Sequence, residues 1–150
     1  MASPGVGSTV AAPEGSGRLI TLDTSGLLAL IDRRDRNHER VLAAYDADRG
    51  PHVVPAAVVG EIAYMLDQDL GIRVAASFFL DLASDLYELD CEEADLERGA
   101  RIALRYESLS LGLVDGAVIA CAARRGGRVL TLDRHHFDVV AREVDLEILP

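Results

Sequence analysis

Two hydrophobic periods alternate along this chain. Short apolar runs at Arg18–Leu22, Val53–Val54, Leu86–Leu89, Val129–Leu132 and Leu146–Leu149 read as strands. The intervening stretches repeat their apolar positions every three to four residues. They predict helices over Thr24–Arg33, Asn37–Asp48, Pro55–Leu70, Ile72–Ser84, Glu92–Glu107, Leu113–Arg125 and Arg134–Arg142. Pro55 suits the first turn of its helix, Gly71 interrupts the long apolar stretch, and Gly126-Gly127 stops the sixth helix. Strands that alternate with helices imply a parallel sheet covered on both faces. The expected fold is three-layer α/β/α with a central, mostly parallel sheet over residues 18–150. Residues 1–17, rich in Gly, Ser, Ala and Pro, read as a flexible N-terminal tail.

Two of the apolar runs say nearly the same thing. Leu-Ile-Thr-Leu-Asp at 19–23 and Val-Leu-Thr-Leu-Asp at 129–133 each stop on an aspartate. Ligands of open α/β sheets bind beyond the carboxyl ends of the strands, so Asp23 and Asp133 belong to the functional edge. Two further acids stand among apolar neighbours. Glu61 shares a helical face with Ala57, Val58, Tyr64 and Met65, and Asp115 with Leu111, Gly112, Val118 and Ile119. A carboxylate buried without a partner costs several kcal/mol. Each acid has an ordinary reading: Asp23 and Asp133 as helix N-caps, Asp115 as a cap one residue before its helix, Glu61 paired to a buried arginine. One cation-binding pocket accounts for all four together. Oxygen-only, carboxylate-rich ligation suits Mg2+ or Mn2+, and no histidine is needed or well placed. Such a site polarises a phosphate and activates water for attack on phosphorus.

Composition narrows the field. With 49% apolar and 27% charged residues the chain is globular, and no run reaches the ~18 apolar residues of a membrane span. There is no basic-then-apolar leader, and Cys91 and Cys121 are too far apart for a metal motif. Both cysteines read as buried small hydrophobes in a reducing cytoplasm. The net charge of −10 argues against a surface that grips nucleic acid throughout, while leaving room for a local basic rim. Arg124, Arg125, Arg128 and Arg134, next to His135 and His136, are candidates for that rim. Arg33, Arg34, Arg36 and Arg40 form a second group diluted by acids. For both groups a solvated helix end is the ordinary alternative. His38 and His52 read as surface residues. All 15 basic residues are arginine, so any mechanism that requires a lysine is excluded.

The acids in their local context resemble the PIN-domain family, specifically the VapC-type toxin ribonucleases of type II toxin–antitoxin pairs. The matching pieces are Leu22-Asp23-Thr24-Ser25, Val59-Gly60-Glu61-Ile62, Leu113-Val114-Asp115-Gly116-Ala117, and Leu130-Thr131-Leu132-Asp133-Arg134 with Phe137. The resemblance covers residues 18–150 and implies a PIN-like fold. It further implies a metal-dependent endoribonuclease in which Asp23, Glu61, Asp115 and Asp133 hold Mg2+ or Mn2+. Ser25 or Thr24 supplies the hydroxyl beside the first acid, and Thr131 a supporting one. It also implies an RNA substrate (transfer or ribosomal RNA), a 5′-phosphate product, a cognate VapB-type antitoxin that blocks the site, and a homodimer with the helices at 56–84 as contact surface. Gly116 departs from the family, where alanine is commoner, and is expected to loosen its helix by up to ~1 kcal/mol.

Other folds that place an aspartate after the first strand fit less well. A dehalogenase-type phosphatase needs an aspartate where Ser25 stands and a lysine; a receiver domain also needs a lysine. A metal-dependent adhesion site needs a serine at Leu27, and a P-loop needs Gly-Lys-Ser/Thr. The remaining alternatives are a PIN fold kept as a protein-binding scaffold with weak or no nuclease activity, and a structure-specific DNA nuclease.

Overall fold

The apolar runs become five short strands in the computed structural model, which describes residues 18–90 and 92–150. The tail expected at 1–17 and the cysteine at 91 lie outside the described residues. In chain order the elements are β1 (Ile20–Leu22), α1 (Thr24–Ile31), α2 (His38–Asp46), β2 (His52–Pro55), α3 (Ala56–Leu70), α4 (Ile72–Ala83) and β3 (Tyr87–Asp90). Then follow α5 (Glu93–Arg105), a 3-10 turn (Glu107–Leu109), α6 (Leu113–Arg124), β4 (Arg128–Leu130), α7 (Arg134–Ala141) and β5 (Glu147–Leu149).

The sheet order is β3-β2-β1-β4-β5 and every pairing is parallel. Ile20 stands level with His52 on one side and Arg128 on the other, so all strands start on one line and end on another. The chain steps from β1 outward to β3, then crosses back to β4 and β5. Right-handed crossovers therefore put α1–α4 on one face and α5–α7 on the other. The order reverses between β1 and β4, and that switch point opens a crevice at their carboxyl ends. The core between the layers is mainly aliphatic, built on Ile20, Leu22, Leu27, Ile62, Leu66, Ile119 and Leu130 with Phe78 and Phe137.

Several boundaries differ from the sequence reading for local reasons. β3 lies one residue later than expected, because its register against β2 pairs His52 with Tyr87 and Pro55 with Asp90. As an edge strand it buries Tyr87 and leaves Leu86 and Leu89 half exposed. β4 ends at Leu130 instead of Leu132; Thr131 still donates its N–H to Leu149 O at 2.9 Å, and the chain then turns into α7. The fifth helix stops at Arg105 and passes through the 3-10 turn, after which Ser110 takes a left-handed φ of 58°.

α5 and α6 cross at two glycines. A Cβ on Gly99 would stand 2.6 Å from Ala117 N, and one on Gly116 would strike the Gly99 carbonyl oxygen. Gly116 has a packing reason to stand where alanine is commoner. Its missing side chain lets the two backbones touch just beside Asp115. The far end of the same helix pair is locked by ions: Arg124 reaches Asp90 (2.9 Å), Glu92 (3.2 Å) and Asp95 (2.7 Å), and Arg125 bonds Glu88 and Asp90 (3.2 Å).

Candidate active site

The first acid emerges directly from β1. Asp23 donates its N–H to Leu130 O at 3.1 Å, which extends the β1–β4 pairing by one step, and its carbonyl accepts from Leu27 N at 2.9 Å to start α1. Its side chain makes no capping bond to that helix. Instead Oδ2 accepts from Thr131 Oγ1 (2.8 Å) and from Ser25 Oγ (3.2 Å). The proton count around these hydroxyls is tight. Thr131 spends its proton on Asp23 and accepts from Asp133 N (3.1 Å), while Ser25 accepts from Leu132 N (2.9 Å). Ser25 and Thr131 lie 3.1 Å apart, so the network knits the end of β1 to the turn after β4. The repeated Thr-Leu-Asp is therefore asymmetric: its second threonine serves its first aspartate.

The other acids arrive from three helices. Asp115 is the third residue of α6 and reaches back to accept from Gly112 N at 3.3 Å. Asp133 is the N-cap of α7, with Oδ1 accepting from His136 N at 3.2 Å. The ordinary cap reading is thus right for Asp133, which still faces the crevice. Glu61 accepts from Thr24 Oγ1 at 3.4 Å. Its expected burial is not found: Glu61 is exposed, because α3 buries the stripe Val58, Ile62 and Leu66, and Glu61 lies one position off it beside the exposed Tyr64. Asp23, Thr24, Ser25, Glu61, Asp115 and Asp133 line one open depression of about 230 Å³, with Leu28 and Met65 on its wall.

Burial governs the electrostatics. Asp23 is 4% exposed. Loss of water pushes its carboxyl up to about 6 from 3.8, the Asp115 charge adds to this, and the bonds from Thr131 and Ser25 oppose it. Asp115 is likewise raised, by burial first and by the Asp133 charge next, against its bond from Gly112. Among the described residues that line the depression there is no arginine to balance them. Converging oxygen donors that resist ionisation in each other's company are the donor set that a divalent cation fits.

His136 is the residue that sequence reasoning missed. Its Nδ1 lies 2.7 Å from Asp133 Oδ2 and its Nε2 3.0 Å from Leu109 O. The Asp133 contact raises its pKa above the ordinary value. Asp115, Asp133 and His136 each have a donor atom within 4.8 Å of the other two. The signal was the i, i+3 spacing from Asp133, which sets the ring over the cap. His52 also departs from expectation. It is buried at 5% exposure and stacked on Tyr45 with ring centres 3.8 Å apart, because it opens the interior strand β2.

The candidate basic rim is not gathered here. Arg124 and Arg125 are committed to the ion pairs at the far end of α6. Arg128 opens β4 at the opposite edge of the sheet and pairs with Asp48 (2.6 Å) and Glu147 (3.2 Å). Arg134 is the half-exposed one, near Asp138 (3.4 Å) at the start of α7.

Residues 20–143 match the PIN domain family. This chain is a PIN domain. It is of the VapC type: it is 34% identical over 121 residues to Ribonuclease VapC26 of Mycobacterium tuberculosis, across 79% of this chain and 90% of that protein. The PIN domain also superimposes on Mycobacterium tuberculosis VapC20, described as a sarcin-ricin loop cleaving toxin, with a TM-score of 0.73 and 20% identity over 81% of this chain and 94% of that one. DNA-bound VapBC from Salmonella typhimurium gives a TM-score of 0.63 at 16% identity, over 88% and 97% of the two chains. At those identities the structural likenesses establish the fold, which is the PIN arrangement of an all-parallel five-stranded sheet between helical layers.

Proposed function

We propose that this PIN domain is a Mg2+- or Mn2+-dependent endoribonuclease toxin, neutralised by a cognate VapB-type antitoxin. The observation that carries the reading is the convergence of Asp23, Glu61, Asp115 and Asp133 on one depression, where burial and mutual repulsion raise Asp23 to about 6. Asp23, Asp115 and Asp133 would hold the ion, with Glu61 at the mouth. When bound, the ion supplies charge stabilisation to the phosphodiester and lowers the pKa of an attacking water.

The chain's own groups have distinct tasks. Thr131 and Ser25 fix the Asp23 carboxylate in one orientation by donating to a single oxygen. Gly112 N–H does the same for Asp115, and His136 for Asp133. Glu61 is tethered only by Thr24 and is exposed, which suits it to take the proton of the attacking water. The new bond joins the water oxygen to phosphorus, the bond to the 3′ oxygen breaks, that oxygen leaves as a 3′-hydroxyl on taking a proton from solvent, and a 5′-phosphate results.

The relatives support the biological part of the reading: a ribonuclease of this type, a sarcin-ricin loop cleaving toxin, and a VapBC pair. A structured RNA, transfer or ribosomal, is the substrate we assign. Exposed Tyr64, Ile72, Phe79 and Leu80 give α3 and α4 a shared apolar groove of about 620 Å³, which supports contact with a protein partner, antitoxin or second copy. Among the described residues no helix is long and apolar enough to cross a membrane. The test is cleavage of structured RNA by the purified chain. Cleavage is expected with Mg2+ or Mn2+, to stop with chelator, and to fall to background in Asp115→Asn. Full cleavage by Asp115→Asn would overturn the assignment.

A further inference from the structure

We propose that His136 is a positioning residue that fixes the Asp133 carboxylate for the divalent cation and ties it to the backbone segment that holds Asp115. The inference rests on the metal-dependent reading above. Asp133 is gripped through both oxygens by this one residue: Oδ1 accepts from the His136 backbone N–H at 3.2 Å and Oδ2 faces the ring Nδ1 at 2.7 Å. A cap needs only the first of these contacts. The second restricts the remaining rotation of a carboxylate that lines the depression.

The other ring nitrogen extends the device. Nε2 lies 3.0 Å from the carbonyl of Leu109, at the end of the 3-10 turn. Three residues further on, Gly112 donates its N–H to Asp115 at 3.3 Å. The imidazole is thus a strut between the helix capped by Asp133 and the segment that orients Asp115. Its side chain is only 22% exposed, so the strut is set within the fold and not splayed in solvent. Both ring nitrogens face protein oxygens and His136 does not line the depression, so we assign the ring to support a metal ligand instead of being one. Groups in this position commonly change metal affinity 10- to 100-fold.

The test is Mn2+ binding in the absence of RNA, followed by calorimetry and by pulsed electron paramagnetic resonance. His136→Asn places an amide nitrogen near Nδ1 and gives up Leu109. His136→Gln reaches toward Leu109 and gives up Asp133. Thermal unfolding in chelator establishes that each variant is folded, and the asparagine variant supplies the conservative comparison. We expect His136→Gln to weaken Mn2+ about 10- to 100-fold, His136→Asn to weaken it less, and the Gln effect to vanish in an Asp133→Asn background. Wild-type affinity in His136→Gln, an undiminished loss in Asp133→Asn, or nitrogen coupling from His136 to bound Mn2+ would each overturn the proposal while leaving the metal reading intact. A wild-type chain that binds no Mn2+ would overturn both.

Discussion

Replacing Asp23 with asparagine should abolish cleavage and yet make the cation-free protein more stable. Asp23 titrates near 6 in the folded chain, against 3.8 for an ordinary aspartate, with burial as the largest cause. A raised folded value means that the folded chain holds the proton more tightly than the unfolded chain does. Between about 3.8 and about 6, rising pH therefore removes stability, and above about 6 the whole penalty stays. At about 1.4 kcal/mol per pH unit the gap corresponds to about 3 kcal/mol. Asparagine carries no charge and can still accept from Thr131 and Ser25 through its amide oxygen. Those bonds weaken by about 1 kcal/mol once the acceptor is neutral. A net gain of about 1–2 kcal/mol remains, which for a chain of this size raises the Tm by roughly 2–8 °C. The assay is thermal unfolding of both proteins in chelator at pH 7.5 and at pH 4.5. The gain should be present at the higher pH and largely gone at the lower, where the wild-type carboxyl is protonated. Millimolar Mn2+ should reverse the order by stabilising the wild type alone. A variant less stable than wild type at pH 7.5 in chelator, or a gain equal at the two pH values, would refute the reasoning.

Two further outcomes follow from the α5–α6 pair. Arg124→Ala should destabilise by about 2–4 kcal/mol, since it strands the buried Asp95, while Asp90 keeps Arg125, and it should leave Mn2+ affinity and cleavage per folded molecule unchanged. An unaltered Tm with weakened RNA binding would show instead that this guanidinium contacts the substrate. Gly116→Ala should destabilise by about 1–3 kcal/mol, although alanine is the better helix former by ~1 kcal/mol, because its methyl meets the Gly99 carbonyl; a more stable variant would contradict the close crossing.

The strand-end aspartates were legible because two physical rules converge on them: apolar runs end where the sheet ends, and parallel sheets bind at that edge. The elements were legible to within a few residues for the same reason. Glu61 was singled out for a reason the structure does not support. Of its apolar neighbours in sequence Val58 is buried but Tyr64 is exposed, so periodicity misjudged which stripe of α3 faces the core. The contact of His136 with Asp133 was readable from their i, i+3 spacing, whereas its second contact, with Leu109 27 positions away, is encoded by no local pattern. The arginine cluster misled for a similar reason. Clustering in sequence suggested a rim, whereas the acids that bind Arg124 and Arg125 come from β3 and the start of α5. Gly116 read as a weak helix former because its partner glycine lies in another helix.

The pairing of β1 with β4 has a temporal side. Asp23 leaves the ribosome early, but the groups that orient it, Leu130 and Thr131, are made more than a hundred residues later, with Asp133 just behind them. A nascent chain that has released everything through α6 holds Asp23, Glu61 and Asp115 with no fourth acid, no Thr131 hydroxyl and no strand for Asp23 to lean on. The acid cluster is thus assembled by the last strand pairings to form in chain order. A PIN domain wired in this way completes its acid cluster only when its synthesis is nearly finished.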